Sequence, residues 1–163
     1  MDAVDQILAQ WCRERPDLNV TPMGLLGRMA RLQVHLRREI EGNLAQHGLS
    51  APNFDILATL RRAGPPFALS PGELLATAMI TSGTMTTRVD QLARLGLVSR
   101  QPNPDDGRSV IVTLTPAGRE LVDAAVTSHV ATQAAITAPL SAEDFDQLDD
   151  LLRRYLAYFE PPK

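Results

Sequence analysis

The residues best suited to chemistry are short hydroxyls. Gly83, Thr86 and Thr87, with Asp90 and Gln91, fall opposite the apolar set Met85, Val89 and Leu92, which recurs at i, i+4 and i+7; Ser82 opens the segment. A helix face of small residues and short hydroxyls can approach another surface closely. In a DNA major groove, Ser and Thr bond base edges or phosphates and a threonine methyl touches thymine. A lone cation follows at Arg108, behind the turn Pro102-Asn103-Pro104-Asp105-Asp106-Gly107. The narrow minor groove has an enhanced negative potential that attracts such an arginine, and Asp106 is placed to orient it.

The elements that must position these groups are legible around them. The helix runs over 82–95 and Gly96 ends it as a left-handed cap. A strand is predicted over 97–101. Val110, Val112 and Leu114 alternate with Ser109, Ile111 and Thr113, so a second strand returns antiparallel. Upstream, Ser70-Pro71-Gly72-Glu73 is a capping box that opens a short helix to Ala78. A short helix, a tight link, a polar-faced helix and a hairpin outline a winged helix-turn-helix.

Long helices flank that lobe. Ala3 to Arg13 carries Val4, Ile7, Leu8 and Trp11 on one face. Thr21-Pro22 reads as an N-cap with proline in the first helical position, opening a helix to about Gln46 that would be roughly 37 Å long. Leu25, Met29, Leu32, Leu36, Ile40 and Leu44 mark its stripe, and Gly48 ends it. A further helix spans 50–63, with Asp55 in its first turn, off the apolar arc. After the hairpin, Thr115-Pro116 opens a helix to about Thr137. Ser141 caps the last helix, where Phe145, Leu148, Leu152, Tyr155 and Phe159 recur at spacings of 3, 4, 3 and 4. That seam is too short for an independent coiled coil and needs a larger helical assembly. The expected fold is mainly α with a small β-hairpin, one domain over 1–163. A winged helix-turn-helix lobe (50–115) sits between helical dimerisation segments (1–47 and 116–163). A two-fold homodimer would read a pseudo-palindromic double-stranded site.

Composition sets bounds. The 163 residues are 44% hydrophobic, enough for one core, and carry a formal charge of −3. That balance argues against a non-specific nucleic-acid binder but allows a local patch, for which Arg88, Arg94, Arg100 and Arg108 are candidates, partly offset by Asp90, Asp105 and Asp106. A single cysteine, Cys12, excludes an internal disulfide. No signal peptide and no apolar run of membrane-spanning length is evident, so a soluble cytoplasmic protein is expected. His35, His47 and His129 lie on separate predicted helices, each read as a surface or dimer-face residue. No metal-ligand spacing, nucleophilic triad or phosphate-binding glycine loop is present; neither enzymatic activity nor a cofactor is expected.

The stretches SGTMTTRVDQLARLGLVSR and NPDDGRSVIVTLTPAG resemble the MarR family of bacterial transcriptional regulators. The resemblance extends to the flanking helices. It implies a homodimeric, sequence-specific DNA-binding regulator, a repressor in the expected case. Many members carry two adjacent arginines in the wing; here Gly107 precedes Arg108, leaving the contact to one arginine. Within the family the chain resembles the urate-responsive subgroup with an extra N-terminal helix, whose sensing positions match Trp11, Asp55 and Arg88. The implied effector is a small anion, urate or an organic acid, drawn to Arg88, stacked on Trp11 and repelled by Asp55. The residues alone leave plainer roles open: an apolar anchor for Trp11, a solvated acid for Asp55, a phosphate contact or ion pair for Arg88. Two alternatives stand beside this reading. One is a peroxide response through Cys12, next to Arg13 and Arg15; the other is a winged-helix protein-interaction module that does not bind DNA.

Overall fold

The computed structural model describes residues 1–79, 82–103 and 110–160, with backbone only at 82–84. The element order is α1 (Ala3–Glu14), α2 (Thr21–Gln46), α3 (Ala51–Arg62), β1 (Ala68–Leu69), α4 (Pro71–Thr77), α5 (Ser82–Arg94), β2 (Val98–Pro102), β3 (Val110–Leu114), α6 (Pro116–Thr137) and α7 (Ala142–Phe159). The helix boundaries read from periodicity agree to within a residue or so. The sheet has one strand more than the expected hairpin. Its order is β1-β3-β2, antiparallel throughout, with Val98 opposite Leu114, Pro102 opposite Val110, and Ala68 opposite Thr113.

One core joins the sheet to the helices. Ile56, Leu57 and Leu60 of α3, Leu74 of α4, Leu92 of α5, Val112 of β3 and Val122 of α6 are all fully buried. Capping fixes the ends of the elements. The Ser70 hydroxyl accepts from the Glu73 N–H at 3.3 Å while Glu73 accepts from the Ser70 N–H at 2.8 Å, the reciprocal box expected. Gly48 and Gly96 adopt φ of +68° and +71°. Each heads a paired motif: Leu49 N–H reaches Leu44 O and Leu97 N–H reaches Leu92 O, closing the ends of α2 and α5.

Two local readings need correction. Thr21 is the first residue of α2, not its cap: Val20 holds the cap position without a side-chain bond, and Asn19 Oδ1 accepts from the Thr21 N–H at 3.1 Å. The histidines are not all surface groups either. His47 is half-buried, with Nε2 2.7 Å from Ser128 Oγ, and His129 is half-buried against Phe54.

The N-terminal helix docks on a glycine step. A Cβ at Gly24 would lie 3.2 Å from Leu8 Cδ1, and one at Gly27 3.3 Å from Val4 Cγ1, so these two glycines let α1 lie close on α2. Arg28 pins the start of α1, bonding Asp2 at 2.8 Å and also Asp5; that guanidinium holds the Asp2 carboxyl at a pKa of about 2. By contrast α7 has no buried residue, and Leu25 and Leu32 of the α2 stripe are exposed.

Candidate nucleic-acid interface and effector crevice

The polar-faced helix is α5. Met85, Val89 and Leu92 are 4%, 4% and 0% exposed, which turns Thr86 and Thr87 outward to solvent. Ser82 and Gly83 open α5 on the same stretch of backbone. The wing residues Asp106 and Arg108 lie outside the described residues. Within the candidate basic patch, Arg100 of β2 forms an ion pair with Asp90 of α5, one of the acids expected to offset it, tying helix to strand. Arg88 is half-buried and donates to Gln91 Oε1 at 3.2 Å along its own helix.

Helix α5 is held from three sides. The Asp90–Arg100 pair fixes it to β2. At its C-terminus, the Leu97 carbonyl accepts from the Thr115 N–H at 3.1 Å, and Thr115 Oγ1 donates to the Gly96 carbonyl at 2.8 Å while capping Gly118 N–H. The start of α6 therefore sits directly on the α5–β2 turn. Ahead of α5, the Met79 N–H donates to Asp55 Oδ2 at 2.6 Å, and Arg62 donates to the Thr77 carbonyl.

Asp55 and Met79 also line a crevice of about 640 Å3 between α2, α3 and α6, with Leu36, Ile40, Phe54 and His129 in its walls. The His129 ring packs against Phe54 with centroids 4.8 Å apart and the planes tilted by 48°, and its buried Nδ1 has no hydrogen-bond partner among the described residues. Burial lowers the pKa of His129 below the usual 6.5, because a charged imidazole would lose its hydration there. The consequence is a pH slope. Below pH 6.5 the unfolded chain binds a proton that the folded chain refuses, so this contribution to stability falls as pH drops through the folded pKa. Urea unfolding at pH 7.5, 6.5 and 5.5 should show wild type losing stability faster than His129→Gln; parallel slopes would remove His129 as the cause.

The three effector candidates lie on three different helices, Trp11 on α1, Asp55 on α3 and Arg88 on α5. Asp55 lines the crevice, Arg88 engages Gln91, and Trp11 is 41% exposed on α1, a helix that packs on α2. Cys12 is exposed in a groove of about 480 Å3 between α1 and α2, beside Leu8, Val20 and Arg28. Sequence reasoning missed His129, Met79 and Arg62. Their partners Phe54, Asp55 and Thr77 lie 15 to 75 residues away in the chain, and no local pattern signals such pairs.

A winged helix-turn-helix with these flanking helices defines a class, and comparison with known proteins places the chain within it. Residues 47–109 match the model of the MarR family. The chain is 40% identical over 151 residues to the HTH-type transcriptional regulator PecS of Dickeya dadantii, covering 93% of this chain and 91% of that protein. It also superimposes on a Cys-to-Ser variant of MarR from E. coli crystallised with operator DNA. There the TM-score is 0.72 and the identity 28%, over 84% of this chain and 95% of that one. The third similarity is to BpsR of Bordetella bronchiseptica, whose DNA binding is described as regulated by 6-hydroxynicotinic acid. Its TM-score is 0.72 and its identity 25%, over 85% and 95% of the two chains. The chain belongs to the MarR family of DNA-binding transcriptional regulators. Among the described residues no helix is long and apolar enough to cross a membrane.

Proposed function

We propose that the protein is a homodimeric repressor that a small anion releases from its operator. The observation that carries the DNA reading is α5 itself: its apolar face is fully used inside the lobe, so Thr86 and Thr87 are free for base edges and phosphates. Ser82 and Gly83 would approach the same groove, and Arg108, oriented by Asp106, the minor groove beside it. Dimerisation is supported by the uncovered apolar seam of α7. The 1–47 and 116–163 segments would form the dimer region, and 50–115 the reading lobe.

The effector would act in the crevice that Asp55 lines, where Phe54 and His129 offer ring faces. Trp11 would stack on the ligand and Arg88 attract it. Regulation of BpsR by an aromatic acid supports a ligand of this chemistry. Such a ligand shifts DNA binding only through its different affinities for the two states, typically worth ~1–3 kcal/mol. A regulator of chromosomal operators would work in the cytoplasm.

The test is a titration of purified protein against its own upstream DNA, at fixed salt, with and without urate. Specific binding should weaken about 10- to 100-fold in Arg108→Ala, equivalent to roughly 1–3 kcal/mol, with the dimer intact. Urate should release wild type but not Arg88→Ala or Trp11→Phe. Affinity unchanged by Arg108→Ala would refute the wing assignment. Binding indifferent to urate yet abolished by peroxide, and protected in Cys12→Ser, would move the switch to Cys12. No specific binding at all would favour the protein-interaction module.

A further inference from the structure

Two side chains of α3 reach across to the backbone at the end of α4 and just beyond it. Asp55 and Arg62 are seven residues apart, two turns along one face of α3. Asp55 Oδ2 accepts from the Met79 N–H at 2.6 Å. Arg62 donates from Nη2 to the carbonyl of Thr77, the last residue of α4. The Thr77 carbonyl would otherwise be an orphan of the α4 C-terminus, and the Met79 N–H lies just past the Ala78 cap. Met79 stands three residues before the first residue of α5 and is 94% exposed, so its own side chain does not pack this segment in place. Ala78 packs against the core, and the two polar bonds fix the backbone on either side of it.

We infer that Asp55 and Arg62 form a two-point clamp that sets the α4–α5 turn, and through it the pose of the DNA-reading helix. The carboxylate acts as a hydrogen-bond acceptor and the guanidinium as a donor; neither needs to touch DNA. The clamp also has an access route. Asp55 and Met79 both line the α2–α3–α6 crevice, so an occupant that bonds the Asp55 carboxylate competes directly with the Met79 N–H. This second step rests on the effector reading above. It differs from simple charge repulsion, because here the ligand acts by taking the acceptor that the turn was using.

The clamp is tested without ligand. Asp55→Asn keeps an oxygen acceptor for the Met79 N–H, whereas Asp55→Ala removes it. Operator affinity should stay within about threefold of wild type in Asp55→Asn and fall about tenfold in Asp55→Ala. Arg62→Ala should fall similarly, with Arg62→Lys partly restored. Hydrogen exchange of the Met79 amide supplies the local readout: protected in wild type and Asp55→Asn, fast in Asp55→Ala. Circular dichroism and thermal melts identify any variant that fails to fold, and the Asn and Lys variants keep the comparison decisive. Wild-type affinity in both alanine variants, or a Met79 amide that exchanges fast in wild type, would overturn the clamp. Urate then separates the two ideas. DNA release with loss of Met79 protection supports the coupling. DNA release with Met79 still protected overturns the coupling and leaves the effector reading intact. No response to urate, with the alanine variants weakened, removes urate as the effector and supports the clamp by itself.

Discussion

Among the glycines of the described residues, Gly118→Ala should be the most destabilising substitution. A Cβ at Gly118 would lie 2.0 Å from the Leu97 carbonyl oxygen, 2.9 Å from its carbon and 3.0 Å from Leu114 Cδ1. The oxygen cannot retreat cheaply, because it accepts from the Thr115 N–H at 3.1 Å and lies at the Gly96 turn that ends α5. Relief requires α6 to lift from the α5–β2 turn, which breaks the Thr115 cap as well. Overpacking against backbone puts the effect at about 3 kcal/mol, the upper end for added methylenes. For a chain of this size that is a fall in Tm of about 6–12 °C. The matched control is Gly42→Ala on α2, where nothing lies within 4 Å of the added carbon. Alanine there should be neutral or stabilising by about 0.5–1 kcal/mol, the ordinary helix-interior preference. Thermal melts of the two variants, run side by side, decide it: equal effects would mean that α6 does not approach Leu97 so closely.

That contrast marks where local pattern stops informing. Both glycines read simply as helical positions in the sequence. The stretch LTPAG announces the start of α6, through Thr115 as cap and Pro116 at the first turn, because those are preferences of a single chain segment. Why glycine comes two residues later depends on a turn twenty residues upstream. The same division runs through the site. Met85, Val89 and Leu92 gave the buried face of α5 correctly, since a period of 3.6 is a property of the helix alone. Asp90 was expected to offset the basic patch, but its particular pairing with Arg100 joins a helix to a strand and was not legible. Asp55 shows it most clearly. Read from the sequence as a solvated acid in the first turn, Asp55 is the fifth residue of α3, past that turn, and its partner is the amide of Met79. Strand β1 was missed because two residues carry no alternation, and only pairing with β3 makes them a strand.

Leu148→Asp and Leu152→Asp should each break the proposed dimer and with it operator binding. Phe145, Leu148, Leu152, Tyr155 and Phe159 follow the 3, 4, 3, 4 spacing of a helix seam, yet they are 46%, 40%, 45%, 43% and 63% exposed in the single chain. Helix α7 is otherwise well made, with Ser141 accepting from the Asp144 N–H at 3.1 Å. A capped helix with an unburied apolar stripe gains its stability from something that covers it. Burying one leucine contributes about 1.5–3 kcal/mol, so five such positions, doubled by symmetry, are enough to hold two copies together. An aspartate in the seam removes one of those contributions and must lose its own hydration, in both copies at once. The effect on DNA follows from geometry. Two linked lobes engage two half-sites, and the second contact is intramolecular, which is worth about 10²–10⁴ in affinity over one lobe alone. Operator binding should therefore fall by at least a hundredfold in either variant, while sedimentation shows a monomer at micromolar concentration. The buried core of each lobe does not include α7, so circular dichroism should retain most of its helix signal. A variant that remains dimeric and binds the operator as wild type does would show that the seam is covered by something other than a second copy. The α7 stripe would then have to be explained by a different partner, and the dimer by contacts elsewhere in the chain.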